Sequence, residues 1–382
     1  MSWTHTALGQ VCTIIMGQSP PGSTYNETGQ GLPFFQGSKD FGTRYPNERV
    51  YCTAPTRIAE EGDILFSVRA PIGSVNRANQ KCAIGRGLSV IRANTKSDAD
   101  FIEFLFRIMH RSWSVYASQG AIFGNARKRD LEELEIVWPP NHVRAPIAAI
   151  LSAYDDLIEN NRRRIQLLEQ SAQLLYKEWF TYLRFPGHEH VTITDGVPEG
   201  WMKKPLGEIA DITMGQSPKS IYYNEDGNGL PFHQGVTNFG IRFPSHQKYC
   251  TVQNRLAEPG DILFSVRAPV GRINIALDKI TIGRGLAAIR SRTGQQNFLI
   301  YALKNWFFKE NIIGSGTIFA AITKNDLHGV ELLQTADRIA EMFMAQVVPI
   351  DLQIEKLHQS NKQLTRARDL LLPRLMNGEI SV

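Results

Sequence analysis

GDILFSVRAPIG occupies residues 62–73, and GDILFSVRAPVG occupies residues 260–271. A chain that repeats twelve residues with one Ile-to-Val exchange builds the same local structure twice. Extending the phrase gives an ungapped match of residues 16–92 with 214–290, in which about 46 of 77 positions are identical. MGQSP recurs at 16–20 and 214–218, GLPF at 31–34 and 229–232, and IGRGL at 84–88 and 282–286. The period of 198 residues is far longer than a solenoid repeat of a few tens of residues, so whole domains are duplicated.

Within each copy, DILFSV and KITIG read as strands, while NETGQGLPF and NEDGNGLPF read as turns that use glycine for positive φ. Residues 101–117 and 298–313 have helical spacing and length. The fold class is therefore α+β, with two similar strand-rich domains related by internal duplication.

The segment after each domain differs in kind. From Ile147 the apolar positions step by fours and threes through Leu151, Ile158, Asn161 and Leu168. From Phe343 the same rhythm runs through Ile354, Asn361, Leu364 and Leu371. A seven-residue repeat marks a coiled-coil seam, and a lone Asn within it commonly fixes register or orientation. Pro349 predicts a break or bend early in the second helix. The simplest partner for each helix is the other, packed antiparallel. At 1.5 Å per residue, a seam from 147 to 179 is on the order of 48 Å long. The expected segments are a first domain at 1–140, a spacer helix at 141–185, a second domain at 186–335 and a C-terminal spacer helix at 336–382.

Chemistry is conspicuous mainly for what it lacks. There is no Walker A sequence, no H-E-x-x-H, and no dinucleotide fingerprint around Gly29–Gly31 or Gly85–Gly87. HEH at 188–190 has no counterpart in the other half and reads as solvated linker rather than a metal site. No catalytic residue, metal or cofactor is expected. Cys12, Cys52, Cys82 and Cys250 form no C-x-x-C pair and read as reduced thiols. MSWTHTALGQ lacks the pattern of a signal peptide, and the apolar run at 145–154 is too short to span a membrane, so the expected location is cytoplasmic.

The repeated arginines suit a surface that meets a polyanion. Arg69 and Arg267 lie between a strand and a Pro-Gly turn, Arg86 and Arg284 lie in Gly-rich turns, and Arg44 and Arg242 stand beside an aromatic and a Pro. With Gln36, Lys39, Gln234, Thr237, Asn238 and the basic positions Arg127, Lys128 and Lys324, they are candidate DNA contacts, able to donate to phosphates and base edges. The competing reading is that a repeated Arg braces a repeated carboxylate such as Asp63 or Asp261. Swaps between the copies, such as Ser38-Lys39-Asp40 against Val236-Thr237-Asn238, are where two related sites would be told apart. The net charge of +5 is modest for a DNA-binding chain of 382 residues.

Taken together, the sequence resembles the specificity subunits of type I restriction–modification systems. The resemblance rests on MGQSP…YN…GLPF, GDILFSVRAP-G and IGRGL in both halves, on GTIFAAITKNDL at 316–327, and on two long helices, the second closing with LLPRLMNGEI. The first half departs from the pattern with GAIFGNARKRDL at 120–131. The resemblance implies two target recognition domains that each read half of a split double-stranded DNA sequence, with helices setting the gap. It also implies separate adenine methyltransferase and motor–nuclease partner subunits, and no membrane. Half-sites about one helical turn apart, near 34–36 Å, would suit such a rod. The alternative is a stand-alone DNA-binding regulator or antirestriction protein built from the same domains. A fused nuclease–methyltransferase has no room in a chain of this size.

Overall fold

The structure, a computed structural model, describes residues 3–118, 125–309 and 321–382, the side chains of 111–118 and 308–309 excepted. Residues 310–313 of the second expected helix, GAIF at 120–123 and GTIF at 316–319 lie outside the described residues. The long helices among the described residues are α1 (Lys96–Ser118), α2 (Asn141–Phe180), α3 (Gln296–Lys309) and α4 (Asp337–Met376). Two compact units divide the chain, Met1–Asn161 with Gln359–Val382, and Arg162–His358.

In the first unit the main strands are β1 (Cys12–Met16), β2 (Leu32–Phe35), β3 (Ile64–Ser67), β4 (Val75–Arg77), β5 (Cys82–Ile84) and β6 (Leu88–Ala93). A four-stranded antiparallel sheet has the order β1-β6-β3-β4, with Ile64 opposite Ile91. A five-stranded sheet places β2 parallel to β5 at its centre. Strand β3 is apolar at consecutive positions because both of its faces are covered. Ile64 and Phe66 enter one core with Phe101, Ile102 and Leu151, whereas Leu65 enters another with Phe35, Ile84 and Val90. Thr95 begins α1 by accepting the Asp98 N–H at 3.1 Å.

The second unit repeats this plan with β7 (Ala210–Met214), β8 (Leu230–His233), β9 (Ile262–Ser265), β10 (Ile273–Ile275), β11 (Ile280–Ile282) and β12 (Leu286–Ser291). The order β7-β12-β9-β10 is the same, and Ile262 faces Ile289. Ile262 and Phe264 pack with Phe298 and Leu299, and Leu263 packs with Ile280 and Ile282 on the other face.

The long helices meet within each unit. In the first, Ile147 and Leu151 of α2 share a core with Leu372 and Leu375 of α4, and Leu371 packs against it. Farther along, Asn161 Nδ2 donates to Asn361 Oδ1 at 2.9 Å, and Asn361 Nδ2 donates to the Ile158 carbonyl at 3.1 Å. Asp155 meets Arg368, so numbers rise along one helix as they fall along the other: the pair is antiparallel. Leu364 is half-buried on the same helix. In the second unit Ile165, Ala172 and Tyr176 share a core with Phe343, Val347 and Ile354, with Leu168 packed against it.

Two expectations need correction. Helix α4 starts at Asp337 and continues through Pro349, so its regular part does not begin at that proline. That residue is exposed, so water can satisfy the carbonyl whose bond the ring removes. The strict heptad also fails along α2. Its buried positions run 151, 155, 158, 161, 165, 169, 172, 176, 180, while Tyr154, Leu168, Leu175 and Trp179 are only half-buried. The track advances about 3.6 residues per step, the period of a straight helix. Asp155 and Glu169 are drawn inward because each also receives cations from its own unit: Arg107 at 2.7 Å for Asp155, and Lys304 and Arg242 at 2.7 Å for Glu169.

Candidate nucleic-acid interface

The repeated phrases converge on one small region in each unit. In the first, the hairpin leaving β3 is closed by Ser67, whose Oγ donates to the Pro71 carbonyl at 2.5 Å and accepts from the Ser74 N–H at 3.1 Å. Gly73 turns it with φ +89°, a value that side chains disfavour. Val68 N donates to the Gly87 carbonyl and Gly87 N to the Gln36 carbonyl, which stitches the hairpin, the IGRGL turn and the end of β2 together. A Cβ on Gly87 would lie 2.3 Å from the Gln36 carbonyl oxygen, so only glycine fits. The MGQSP loop completes the arrangement, with Ser19 Oγ accepting the Arg86 N–H at 3.3 Å.

The result is an open concavity lined by Gln36, Ser38, Arg69, Arg86 and backbone. The second unit builds its twin from Gln234, Val236, Arg267 and Arg284. Its bonds correspond: Ser265 Oγ to the Pro269 carbonyl, Val266 N to Gly285, Gly285 N to Gln234, and Arg284 N to Ser217 Oγ. This is why Ser, Arg, Pro and Gly recur in register. Ser19, Ser67 and their twins were not singled out from sequence, although their repetition in both phrases was the available signal.

The arginines divide into two kinds. Arg69, Arg86, Arg267 and Arg284 are exposed and pair with no carboxylate among the described residues. The brace considered for them is made elsewhere: Asp63 pairs with Arg92 at 2.6 Å, and Asp261 with Arg290 at 2.5 Å. Arg44 and Arg242, by contrast, are withdrawn from the candidate DNA contacts. Arg44 pairs with Asp156 at 2.6 Å and lies over Tyr45. Arg242, its side chain 4% exposed, is clamped at 2.7 Å by both Glu169 and Asp351. Burial works to lower the Arg242 pKa, but Glu169, Tyr301 and Asp351 outweigh it and hold the guanidinium firmly charged. Burial likewise works to raise the Glu169 carboxyl, and Lys304 and Arg242 outweigh it to keep it below the usual range.

The other candidates are not among the lining residues of either concavity. Lys39 and Thr237 are exposed and Asn238 is half-buried in the loops after Gln36 and Gln234. Arg127 and Lys128 are exposed near the bridge of Arg69 with Asn125, although Lys128 also pairs with Glu132 at 3.2 Å. Lys324 is exposed beside Thr323, which caps a short helix close to the Arg267–Ala321 bridge. HEH forms a short turn, His188–His190, with His188 Nδ1 2.9 Å from the Phe185 carbonyl. Among the described residues no group of three or more His, Cys, Asp or Glu could hold a metal ion, and no helix is long and apolar enough to cross a membrane.

One polar chain at the end of β8 is only half matched in the first unit, where Gln80 donates to Glu48 at 2.5 Å in the place of the outer pair. His233, replaced by Phe35 in the first copy, lies 2.8 Å (Nε2) from His246 Nδ1, and His246 Nε2 lies 3.0 Å from Asp278. Burial and then the neighbouring His246 push the His233 pKa down to about 4. An unfolded histidine titrates near 6.5, so between pH 6.5 and 4 the unfolded chain binds a proton that the folded one refuses. Stability is complete above that window and falls by about 3 kcal/mol as pH drops through it. Unfolding of the wild type and His233→Phe at pH 7 and pH 4.5 should show the loss in the wild type and a smaller one in the variant. Equal losses would reject the assignment.

A family model for the type I restriction modification DNA specificity domain matches residues 2–170 and 198–332. Over 342 residues the chain is 33% identical to the specificity subunit assigned to the type I restriction enzyme MjaX of Methanocaldococcus jannaschii, covering 84% of this chain and 79% of that one. It is 28% identical to the MjaIX specificity subunit of the same organism, covering 89% and 83%. The crystal structure of a type I restriction–modification S subunit from M. genitalium matches with a TM-score of 0.59 at 18% identity, covering 98% of this chain and 96% of that one, a likeness of fold.

Proposed function

The chain belongs to the type I restriction modification DNA specificity family, and we propose that it is the subunit that reads DNA for such a complex. Each strand-rich domain reads one half of a split double-stranded target, residues 1–140 the first and 186–335 the second. The spacer segments at 141–185 and 336–382 set the interval between the halves. The subunit is not itself catalytic. It directs separate adenine-N6 methyltransferase subunits and motor–nuclease subunits to the target in the cytoplasm.

The observation that carries this reading is the matched pair of concavities, each presenting one Gln and two exposed arginines without carboxylate partners among the described residues. Arg can donate two bonds to guanine O6 and N7, Gln can pair with adenine N6 and N7, and both can also donate to phosphate. Lys39, Thr237, Asn238, Arg127, Lys128 and Lys324 would hold the flanking backbone. Asn161 and Asn361 would fix the register of the helix pair.

Methylome sequencing of a cell that expresses the chain with its cognate methyltransferase tests the reading. The expected result is a split methylated motif whose halves form a near-inverted repeat, because the domains are so similar. Methylation that does not depend on the chain, or no split motif, would overturn the reading, and a split motif with unrelated halves would refute the near-inverted repeat alone.

A further inference from the structure

The two concavities offer almost identical chemistry. Gln36 matches Gln234, Arg69 matches Arg267, and Arg86 matches Arg284, all set by corresponding backbone bonds. The side chain that differs in the lining is Ser38 against Val236, and both are half-exposed. The backbone beneath them turns in a similar way, tightened in the first copy to a short 3-10 helix, Ser38–Asp40. Phe41 N donates to the Ser38 carbonyl and Phe239 N to the Val236 carbonyl, each at 3.0 Å. Asn47 N donates to the Asp40 carbonyl and Ser245 N to the Asn238 carbonyl, closing equivalent loops. The side chains at 38 and 236 therefore leave corresponding points of the backbone and present a hydroxyl in one concavity and two methyl groups in the other.

Resting on the DNA-reading assignment, we propose that position 38/236 tells the two half-sites apart: Val236 packs against the 5-methyl group of a thymine, and Ser38 makes a hydrogen bond to a base edge. In the major groove the thymine methyl is the apolar feature of the base-pair edges, and a serine hydroxyl can pair with either purine or pyrimidine edges. The half-sites then share the base pairs met by the common Gln and Arg residues and differ at the pair met by this side chain.

The test uses the complex assembled with its methyltransferase subunits and DNA carrying the motif found by methylome sequencing. Each thymine is replaced in turn by deoxyuridine, which lacks the methyl group. One replacement, in one half-site, should weaken binding by about fourfold, the effect of one lost methyl-sized contact. Val236→Ser should abolish that sensitivity, and Ser38→Val should create it on DNA whose other half-site is given a thymine at the corresponding pair, since the turn already accepts valine in its twin. The Ser38→Val gain keeps the test decisive if Val236→Ser disturbs folding. If no replacement weakens binding, or if the sensitivity survives in Val236→Ser, the inference is overturned while a split motif leaves the DNA-reading assignment standing. Absence of any split motif overturns both.

Discussion

Arg242→Ala should destabilise the second unit by about 3–5 kcal/mol, as removal of one partner from a buried ion pair does. The guanidinium binds Glu169 and Asp351 at 2.7 Å each, and its NH1 donates to Tyr301 Oη at 3.0 Å. Lys304 still serves Glu169, but Asp351 would keep only its neutral donors Tyr301, at 2.6 Å, and Asn297. Arg44→Ala is the control with the same sequence context. Its partner Asp156 is 62% exposed, so water replaces the lost bond and the cost should stay below about 1 kcal/mol. Denaturant unfolding of both variants measures the difference. Equal, small losses, joined by weakened DNA binding in Arg242→Ala, would restore Arg242 as a DNA contact.

That pair of arginines also marks the limit of what the sequence could say. Both stand beside an aromatic and a proline, as the repeated phrase requires, and nothing local separates them from Arg69 and Arg267. Their fate depends on carboxylates 112 and 73 positions away, on a helix whose register no local pattern reveals. The duplication, the strands and the two long helices were legible because they rest on local periodicity and on identity between copies. The drift of the buried track on α2 was not, because it arises where Asp155 and Glu169 meet cations from other elements. Even the position of the concavity was only half visible. The three phrases were plainly repeated, but their convergence depends on backbone bonds such as Val68 N to Gly87 and Gly87 N to Gln36, which join strands far apart in the chain.

Arg267→Ala and Arg284→Ala should each weaken specific DNA binding by the assembled complex, and the way they do so identifies what each arginine touches. A bidentate contact to guanine contributes about 1–3 kcal/mol of discrimination, or roughly 5- to 150-fold, at one base pair. Its loss relaxes the motif at that position. A phosphate contact instead weakens all sequences alike and reduces the slope of log affinity against log salt by about one. Arg284 belongs to the turn whose N–H is fixed to Ser217, and Arg267 to the hairpin bonded to Gly285, so both line the concavity with Gln234 from braced backbone. Such bracing reduces the ordering cost of binding and favours base reading over loose phosphate contact. The expected outcome is therefore a relaxed position in one half-site for each variant, with the salt slope nearly unchanged. The equivalent Arg69→Ala and Arg86→Ala should relax the other half-site alone, since each concavity is built wholly from its own unit. A loss spread evenly over both half-sites, or no loss at all, would mean that these repeated arginines do not read bases.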